Sequence, residues 1–132
     1  MLEGLTVKEV LALHDGQLAR YGGRPGLRDL GLLESALTQP TQELFGQLRY
    51  DTVLAQAAAY LYYGSRAHAF TDGNKRTALN CALIWLDLHD LRVRATQDEL
   101  FEFTLAVAQG HLSLEEAISR FGAWAAEQDR TL

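Results

Sequence analysis

Apolar residues recur every three or four positions along most of the chain, with polar residues between them. Near the amino terminus one helical face would hold a regular set: Val7, Val10, Leu11, His14 and Leu18. Thr6 and Glu9 stand just before this set at the spacing of a capping box, in which each side chain accepts a hydrogen bond from the other residue's backbone N–H. The pattern predicts a first helix that begins after Thr6 and ends at Gly22-Gly23.

Two further helices are predicted between residues 29 and 67. Asp29 is a candidate N-cap for a short helix that runs to about Thr38 and is stopped by Pro40. Asp51 is a candidate N-cap for the next helix, DTVLAQAAAYLYYGSRA, whose alanines predict close packing against neighbouring helices.

The second half of the chain predicts three more helices. One begins near Asn74 and continues to about His89, and residues 91–95 are long enough only for a β-bridge or a small hairpin arm. The last two helices are separated by Gly110 and opened by two more capping boxes: Thr96 with Glu99, and Ser113 with Glu116. We therefore expect an all-α fold in which residues 1–132 form one compact, single-domain bundle of about six helices.

Composition and charge limit the classes of protein to which the chain can belong. A chain of 132 residues with 48% hydrophobic residues suffices for one core. The net charge of -5 has the wrong sign for sequence-independent nucleic-acid binding, so we expect no direct contact with nucleic acid. A single cysteine, Cys81, no signal-peptide pattern and no apolar run long enough to cross a bilayer lead us to expect a cytoplasmic protein without membrane contact.

Residues 68–80, HAFTDGNKRTALN, hold an unusual set of polar groups between two predicted helices. A helix N-terminus presents unpaired N–H groups and partial positive charge, which favour an anion such as phosphate. Gly73 permits close approach of a ligand to the backbone. Lys75 and Arg76 add full positive charges at the end of the helix where the dipole repels cations, an arrangement that a bound polyanion would compensate.

The same stretch contains groups suited to phosphoryl or nucleotidyl transfer. Asp72 is a candidate Mg²⁺ ligand, because one carboxylate with phosphate oxygens commonly holds this ion. His68 is a candidate base near neutral pH, and Asn74 and Asn80 are candidate donors to phosphate. Taken singly, each residue has an ordinary structural interpretation as a cap, a turn or a solvated face. Their occurrence together favours phosphate chemistry.

The run from His68 to Arg76 resembles the signature of the Fic/Doc family, in which a histidine loop leads into a helix. Residues 13–26, LHDGQLARYGGRPG, look like the amino-terminal segment of the Doc branch, the death-on-curing toxins. The resemblance extends over nearly the whole chain and implies a Fic/Doc-like fold. Most Fic enzymes transfer AMP to a protein hydroxyl and have glycine at the position of Lys75. The chain resembles the Doc branch here, because that branch also has lysine at this position.

The Doc resemblance implies a kinase that moves the γ-phosphoryl group of ATP to a threonine of elongation factor Tu and so stops translation. It implies that His68 is the general base, that Asp72 holds Mg²⁺, and that Arg76 stabilises the transition state. Phe70 would be buried and anchor the loop. The implied ATP and phosphate-binding residues are Arg66, Gly73, Asn74, Lys75, Arg76 and Asn80.

The same resemblance implies a partner, a Phd-like antitoxin whose tail folds into a groove on the toxin. Apolar residues of the last two helices are candidates for the core or for that groove: Leu100, Phe101, Phe103, Leu105, Leu112, Leu114, Ile118 and Phe121. Two alternatives stay open. One is a Fic-type enzyme that transfers AMP. Gly73 favours this alternative, because the resemblance to the Doc branch implies alanine at this position, and glycine brings the loop closer to the broader Fic pattern. The other is a non-catalytic module that binds antitoxin as a co-repressor.

Overall fold

Residues 2–128 are described by a computed structural model, and α-helices account for most of them. The six helices are α1 (Val7–Tyr21), α2 (Leu30–Thr38), α3 (Val53–Arg66), α4 (Asn74–Leu88), α5 (Gln97–Ala108) and α6 (Leu114–Trp124). The short strands are β1 (Glu43–Leu44), β2 (Gln47–Leu48), β3 (Leu91–Val93) and β4 (Ala125–Glu127), and a 3-10 helix covers Gln39–Thr41. The prediction of an all-α bundle of about six helices is confirmed for this part of the chain.

Side-chain caps fix where most helices begin. The capping boxes at the starts of α1, α5 and α6 form as predicted, with hydrogen bonds in both directions. Asp29 caps α2 by accepting from the N–H of Leu32 at 3.0 Å. The prediction that Asp51 caps α3 is wrong. Thr52 is the N-cap, because its hydroxyl lies three residues before the N–H of Ala55 and accepts from it at 3.1 Å.

The core is centred on the pairing of α3 with α4. Ala57, Ala58 and Ala59 of α3 are fully buried, which confirms the close packing that the alanines predicted. Gly64 of α3 lies so close to α4 that a Cβ atom added there would be 3.0 Å from the Cβ of Ala78. This packing fixes the position of α4. No helix within residues 2–128 has the length and apolar character needed to span a bilayer.

Two small antiparallel sheets complete the fold of residues 2–128. The turn between β1 and β2, Phe45-Gly46, has positive φ at both residues (53° and 78°), as a two-residue hairpin turn of type I′ requires. The sequence did not predict this hairpin, since phenylalanine is not a usual residue for such a turn. The segment at 91–95 does form a short strand, but β3 pairs with β4 at the carboxyl end of the described chain.

Candidate active site

The loop of residues 68–73 connects α3 to α4 and is held in an uncommon backbone conformation. His68 has φ of 53° and Gly73 has φ of 78°, both in the left-handed region. Glycine adopts this region freely, whereas for other residues it is uncommon and needs support from neighbours. Phe70 is buried, as predicted, while the side chains of His68 and Asp72 are exposed.

The support comes from the connection between α1 and α2, which pairs with the loop along its backbone. The N–H groups of Arg28 and Asp29 both donate to the carbonyl of Ala69, at 2.8 and 3.0 Å. The N–H of Thr71 donates to the carbonyl of Gly26 at 3.0 Å. Gly26 has φ of 131°, and a Cβ atom there would be 2.9 Å from the Thr71 hydroxyl. The approach of the two segments therefore depends on a glycine at this position.

Arg28 also holds the loop through its side chain. Its Nε and one terminal nitrogen donate to the carbonyl oxygen of His68 at 3.0 and 2.7 Å. The carbonyl belongs to the residue with positive φ, so the two hydrogen bonds stabilise the backbone conformation that sets the direction of the His68 imidazole.

Both carboxylate oxygens of Asp72 accept backbone hydrogen bonds. One accepts from the N–H of Arg24 at 3.1 Å and the other from the N–H of Gly73 at 2.9 Å. These N–H groups, that of Arg24 first, hold the pKa of Asp72 below its ordinary value, because they stabilise the ionised form. Asp72 is therefore an exposed anion in a fixed orientation.

The side chain of Asn74 closes the loop onto itself. Its oxygen accepts from the N–H of Phe70 at 3.0 Å, and its nitrogen donates to the carbonyl of the same residue at 2.9 Å. The sequence interpretation had Asn74 as a donor to phosphate. In the structure the carboxamide shapes the loop, and the backbone N–H of Asn74 is the part of the residue that faces the open end of α4.

The N-terminus of α4 differs from those of the other five helices in residues 2–128. Gly73 occupies the N-cap position without a side-chain hydrogen bond, whereas each other helix begins with a Ser, Thr or Asp side chain that accepts one. Its first turn has no acidic residue and contains Lys75 and Arg76. The helix dipole and two cationic side chains thus make this end strongly electropositive.

A cleft of about 420 Å³ opens beside this helix end, and it brings together most of the predicted site residues. It is lined by six of them: His68, Asp72, Gly73, Asn74, Lys75 and Arg76. A second cleft of about 450 Å³ adjoins the first, since Gln17, Arg76 and Phe101 line both. The guanidinium of Arg76 lies between two exposed rings, 4.2 Å from the centroid of Tyr21 and 5.9 Å from that of Phe101.

Two predicted site residues lie away from the first cleft. Asn80 lines the second cleft, one turn of α4 beyond Arg76. Arg66 lines neither of these clefts and stacks over the ring of Tyr62, with 4.6 Å between the guanidinium carbon and the ring centroid. The structure therefore groups Asn80 with the site and leaves Arg66 outside both clefts.

The residues that hold the loop were not predicted from the sequence. Arg28 and the backbone of Arg24 reach the loop from 40 and 48 residues away in sequence, and no local pattern predicts such contacts. One signal was available in the glycines of residues 22–26, because a cluster of glycines often marks a place where two backbones approach closely. His14, which falls on the apolar face predicted for the first helix, is buried.

A family model and two curated relatives all point to the same protein family. A model of the Fic/DOC family matches residues 4–86. The chain is 36% identical over 110 residues to "Protein kinase doc" of Escherichia phage P1, an alignment that covers 83% of this chain and 86% of that protein. It is 37% identical over 98 residues to "Toxin Doc" of Mycolicibacterium smegmatis, covering 74% of this chain and 73% of that protein.

Proposed function

Because this chain belongs to the Fic/DOC family, we propose that it is a Doc-like toxin kinase that transfers the γ-phosphoryl group of ATP to a Thr or Ser hydroxyl of a translation factor. Elongation factor Tu is the first target to test. The observation that carries the proposal is the meeting of an exposed imidazole, a fixed carboxylate and an electropositive helix end in one cleft.

Each residue would have a separate task in the transfer. His68 accepts the proton of the target hydroxyl while the oxygen of that hydroxyl attacks the γ-phosphorus of ATP. The bond from that phosphorus to the bridging oxygen breaks, so the products are a phosphorylated side chain and ADP. The amides at the start of α4, among them that of Asn74, bind phosphate oxygens with Lys75. Arg76 neutralises charge that develops in the transition state.

Asp72 fits the binding of Mg²⁺. Its carboxylate is exposed, ionised and oriented by two backbone N–H groups, and each oxygen keeps a lone pair for a ligand. A single carboxylate with phosphate oxygens and waters is a common environment for this ion. When bound, Mg²⁺ supplies positive charge that offsets the negative charge of the phosphates.

AMP transfer is the second candidate, and Gly73 is the feature that favours it. The two reactions differ in the phosphorus attacked, because transfer of AMP would release pyrophosphate in place of ADP. We would incubate the purified chain with elongation factor Tu, Mg²⁺ and ATP labelled at either the α- or the γ-phosphate. Label on the target from the γ position alone supports the kinase, and label from the α position alone refutes it.

A non-catalytic role is tested by removing the base. His68→Ala is expected to lower the transfer rate about 10²- to 10⁴-fold, the usual contribution of a positioned general base. Because His68 is exposed, the variant should fold normally. If His68→Ala inhibited growth as strongly as the parent, catalysis by this loop would be excluded.

We also propose a Phd-like antitoxin as the partner, and the second cleft as the place where its helical tail binds. Tyr21, Leu100 and Phe101 line that cleft together with Leu79 and Leu83. Of the apolar residues of the last helices, Phe103 and Phe121 are buried in the core, whereas Leu100 and Phe101 are accessible to a partner helix. Competition between an antitoxin peptide and ATP in calorimetry would test this assignment. The toxin kinase would act in the cytoplasm, where ATP and translation factors occur.

A further inference from the structure

One buried histidine lies directly beneath the loop of the candidate site. His14 belongs to α1 and is only 3% exposed, and its ring is stacked on that of Phe70 with 3.8 Å between centroids and 9° between planes. Phe70 lies at the centre of the loop of residues 68–73. The stack alone would make His14 an ordinary packing residue.

A hydrogen bond gives His14 a second contact with the loop. Its Nε2 lies 2.7 Å from the carbonyl oxygen of Asp72, 58 residues further along the chain. A carbonyl oxygen only accepts, so Nε2 carries the hydrogen and donates it. The bond is short, partly buried and directed at the backbone of the residue whose carboxylate faces the cleft.

The same ring also lies next to the turn that opens α4. A Cβ atom added to Gly73 would lie 3.5 Å from Cδ2 and from Nε2 of His14, which is ordinary van der Waals contact. The ring of His14 therefore contacts the Phe70 ring and the Asp72 carbonyl, and it lies beside the left-handed turn at Gly73.

We propose that His14 is a positioning residue for the transfer reaction, and this rests on the proposed function. By holding the Asp72 carbonyl from below, it fixes the peptide plane between Asp72 and Gly73. That plane sets the direction of the Asp72 carboxylate and of the first amides of α4. His14 lies outside the lining of the cleft and acts only through these groups.

Two substitutions separate the hydrogen bond from the stack. His14→Phe keeps a flat ring against Phe70 and loses the donor, whereas His14→Gln keeps an N–H donor at nearly the position of Nε2 and loses the ring. Val10→Ala is the matched control, because Val10 is buried one turn earlier on α1, and its truncation loosens the packing beside Phe70 while the hydrogen bond from His14 to Asp72 stays in place. All three are compared with the parent in unfolding experiments.

We expect His14→Phe to lower kcat about ten- to hundredfold, the cost of slightly misplaced catalytic groups. Its KM for ATP should rise by a smaller factor than kcat falls, because Lys75 and Arg76 remain to bind the phosphates. His14→Gln should recover most of the lost kcat, and Val10→Ala should keep the parent's kcat. Amide hydrogen exchange of residues 71–75 should accelerate in His14→Phe and not in Val10→Ala.

The proposal is overturned if His14→Phe matches Val10→Ala in kcat and exchange, or if His14→Gln is as impaired as His14→Phe. Nitrogen-15 NMR of the imidazole in the unmodified protein tests it without any variant, since we expect the tautomer with hydrogen on Nε2, and the opposite tautomer refutes the hydrogen bond. If the parent transfers no phosphoryl group, the proposed function fails, yet the exchange and tautomer results still decide whether His14 holds the loop.

Discussion

The carbonyl of His68 receives two hydrogen bonds from one guanidinium, and the backbone at that residue has positive φ. Such a conformation costs on the order of 1–3 kcal/mol when the residue is not glycine, so it persists only where neighbours enforce it. Arg28 is the side chain that enforces it. The orientation of the candidate base therefore depends on a residue outside the cleft lining.

Arg28→Ala should reduce kcat about ten- to hundredfold, because the imidazole loses its fixed direction. Arg28→Lys should be intermediate, since an ammonium group cannot reproduce the two parallel donors. The readout is the initial rate of phosphoryl transfer at saturating ATP. Arg120→Ala is a suitable control, because it removes an arginine that stacks on Phe103 and Trp124 away from the loop. Equal rates for the Arg28 and Arg120 variants would contradict the role given to Arg28.

Arg76 is oriented by cation–π contacts, which are weaker than the two hydrogen bonds that Arg28 makes. Removing one of these contacts should therefore affect the reaction less than removing the Arg28 side chain. Its guanidinium lies over the exposed ring of Tyr21, and a cation–π contact at an exposed site contributes about 0.5–1 kcal/mol. Tyr21→Leu should therefore lower kcat/KM for ATP about two- to fivefold. Tyr21→Phe should retain the parent value. A loss in Tyr21→Phe equal to that in Tyr21→Leu would show that the hydroxyl, and not the ring face, is responsible.

At the scale of elements, the starts of helices were the most predictable feature. The box formed by Thr6 and Glu9 is local, so four consecutive residues contain all of its information. The cap of α3 was predicted one residue too early, because Asp51 and Thr52 are both good caps and the sequence alone does not fix which side chain accepts the hydrogen bond. The β1–β2 hairpin and the strand pair β3–β4 were not predicted as such, since their pairing depends on tertiary contacts.

The close approach of α3 and α4 gives an element-scale test with a matched pair of glycines. Gly16→Ala on α1 should raise the free energy of unfolding by up to about 1 kcal/mol, because nothing lies within 4 Å of the added methyl group. Gly64→Ala has the same gain in helix propensity but forces a contact at 3.0 Å with Ala78, and overpacking costs about 1–3 kcal/mol. We expect it to be neutral or destabilising in urea unfolding.

Movement of α4 in the Gly64 variant would also displace Arg76 and Asn80, which that helix carries. Its transfer rate should fall, while Gly16→Ala should leave the rate unchanged. Equal stabilisation by both substitutions would show that α4 can shift without cost. It would then follow that the packing of α3 against α4 does not fix the position of the candidate site.

At the scale of the whole molecule, fold class and the position of the site in the chain were both accessible from sequence. Residues 68–76 are contiguous, so their grouping required only the correct assignment of a loop before a helix. The contacts that hold them were inaccessible, because they come from α1 and from the connection that follows it. The chain predicts the reacting groups, and the fold determines their orientation.

The core also predicts how the molecule responds to alkali. Burial raises the pKa of the Cys81 thiol from 9.0 to about 12, and burial likewise raises that of Tyr60 from 10.0 to about 12. Both groups are neutral in the folded and unfolded states at neutral pH, so neither lowers the free energy of unfolding there. Above pH 9 the unfolded chain releases protons that the folded chain retains, so the free energy of unfolding falls as pH rises towards 12.

Each such group contributes a slope of about 1.4 kcal/mol per pH unit between its unfolded and folded pKa values. Cys81→Ala removes one of them, so its stability should decline less steeply than that of the parent between about pH 9.5 and pH 11. Urea unfolding at several pH values measures both slopes, and the constant cost of the smaller side chain cancels in the comparison. Parallel curves would mean that Cys81 ionises in the folded protein, and rapid reaction of its thiol with an alkylating reagent at pH 9 would confirm that exposure.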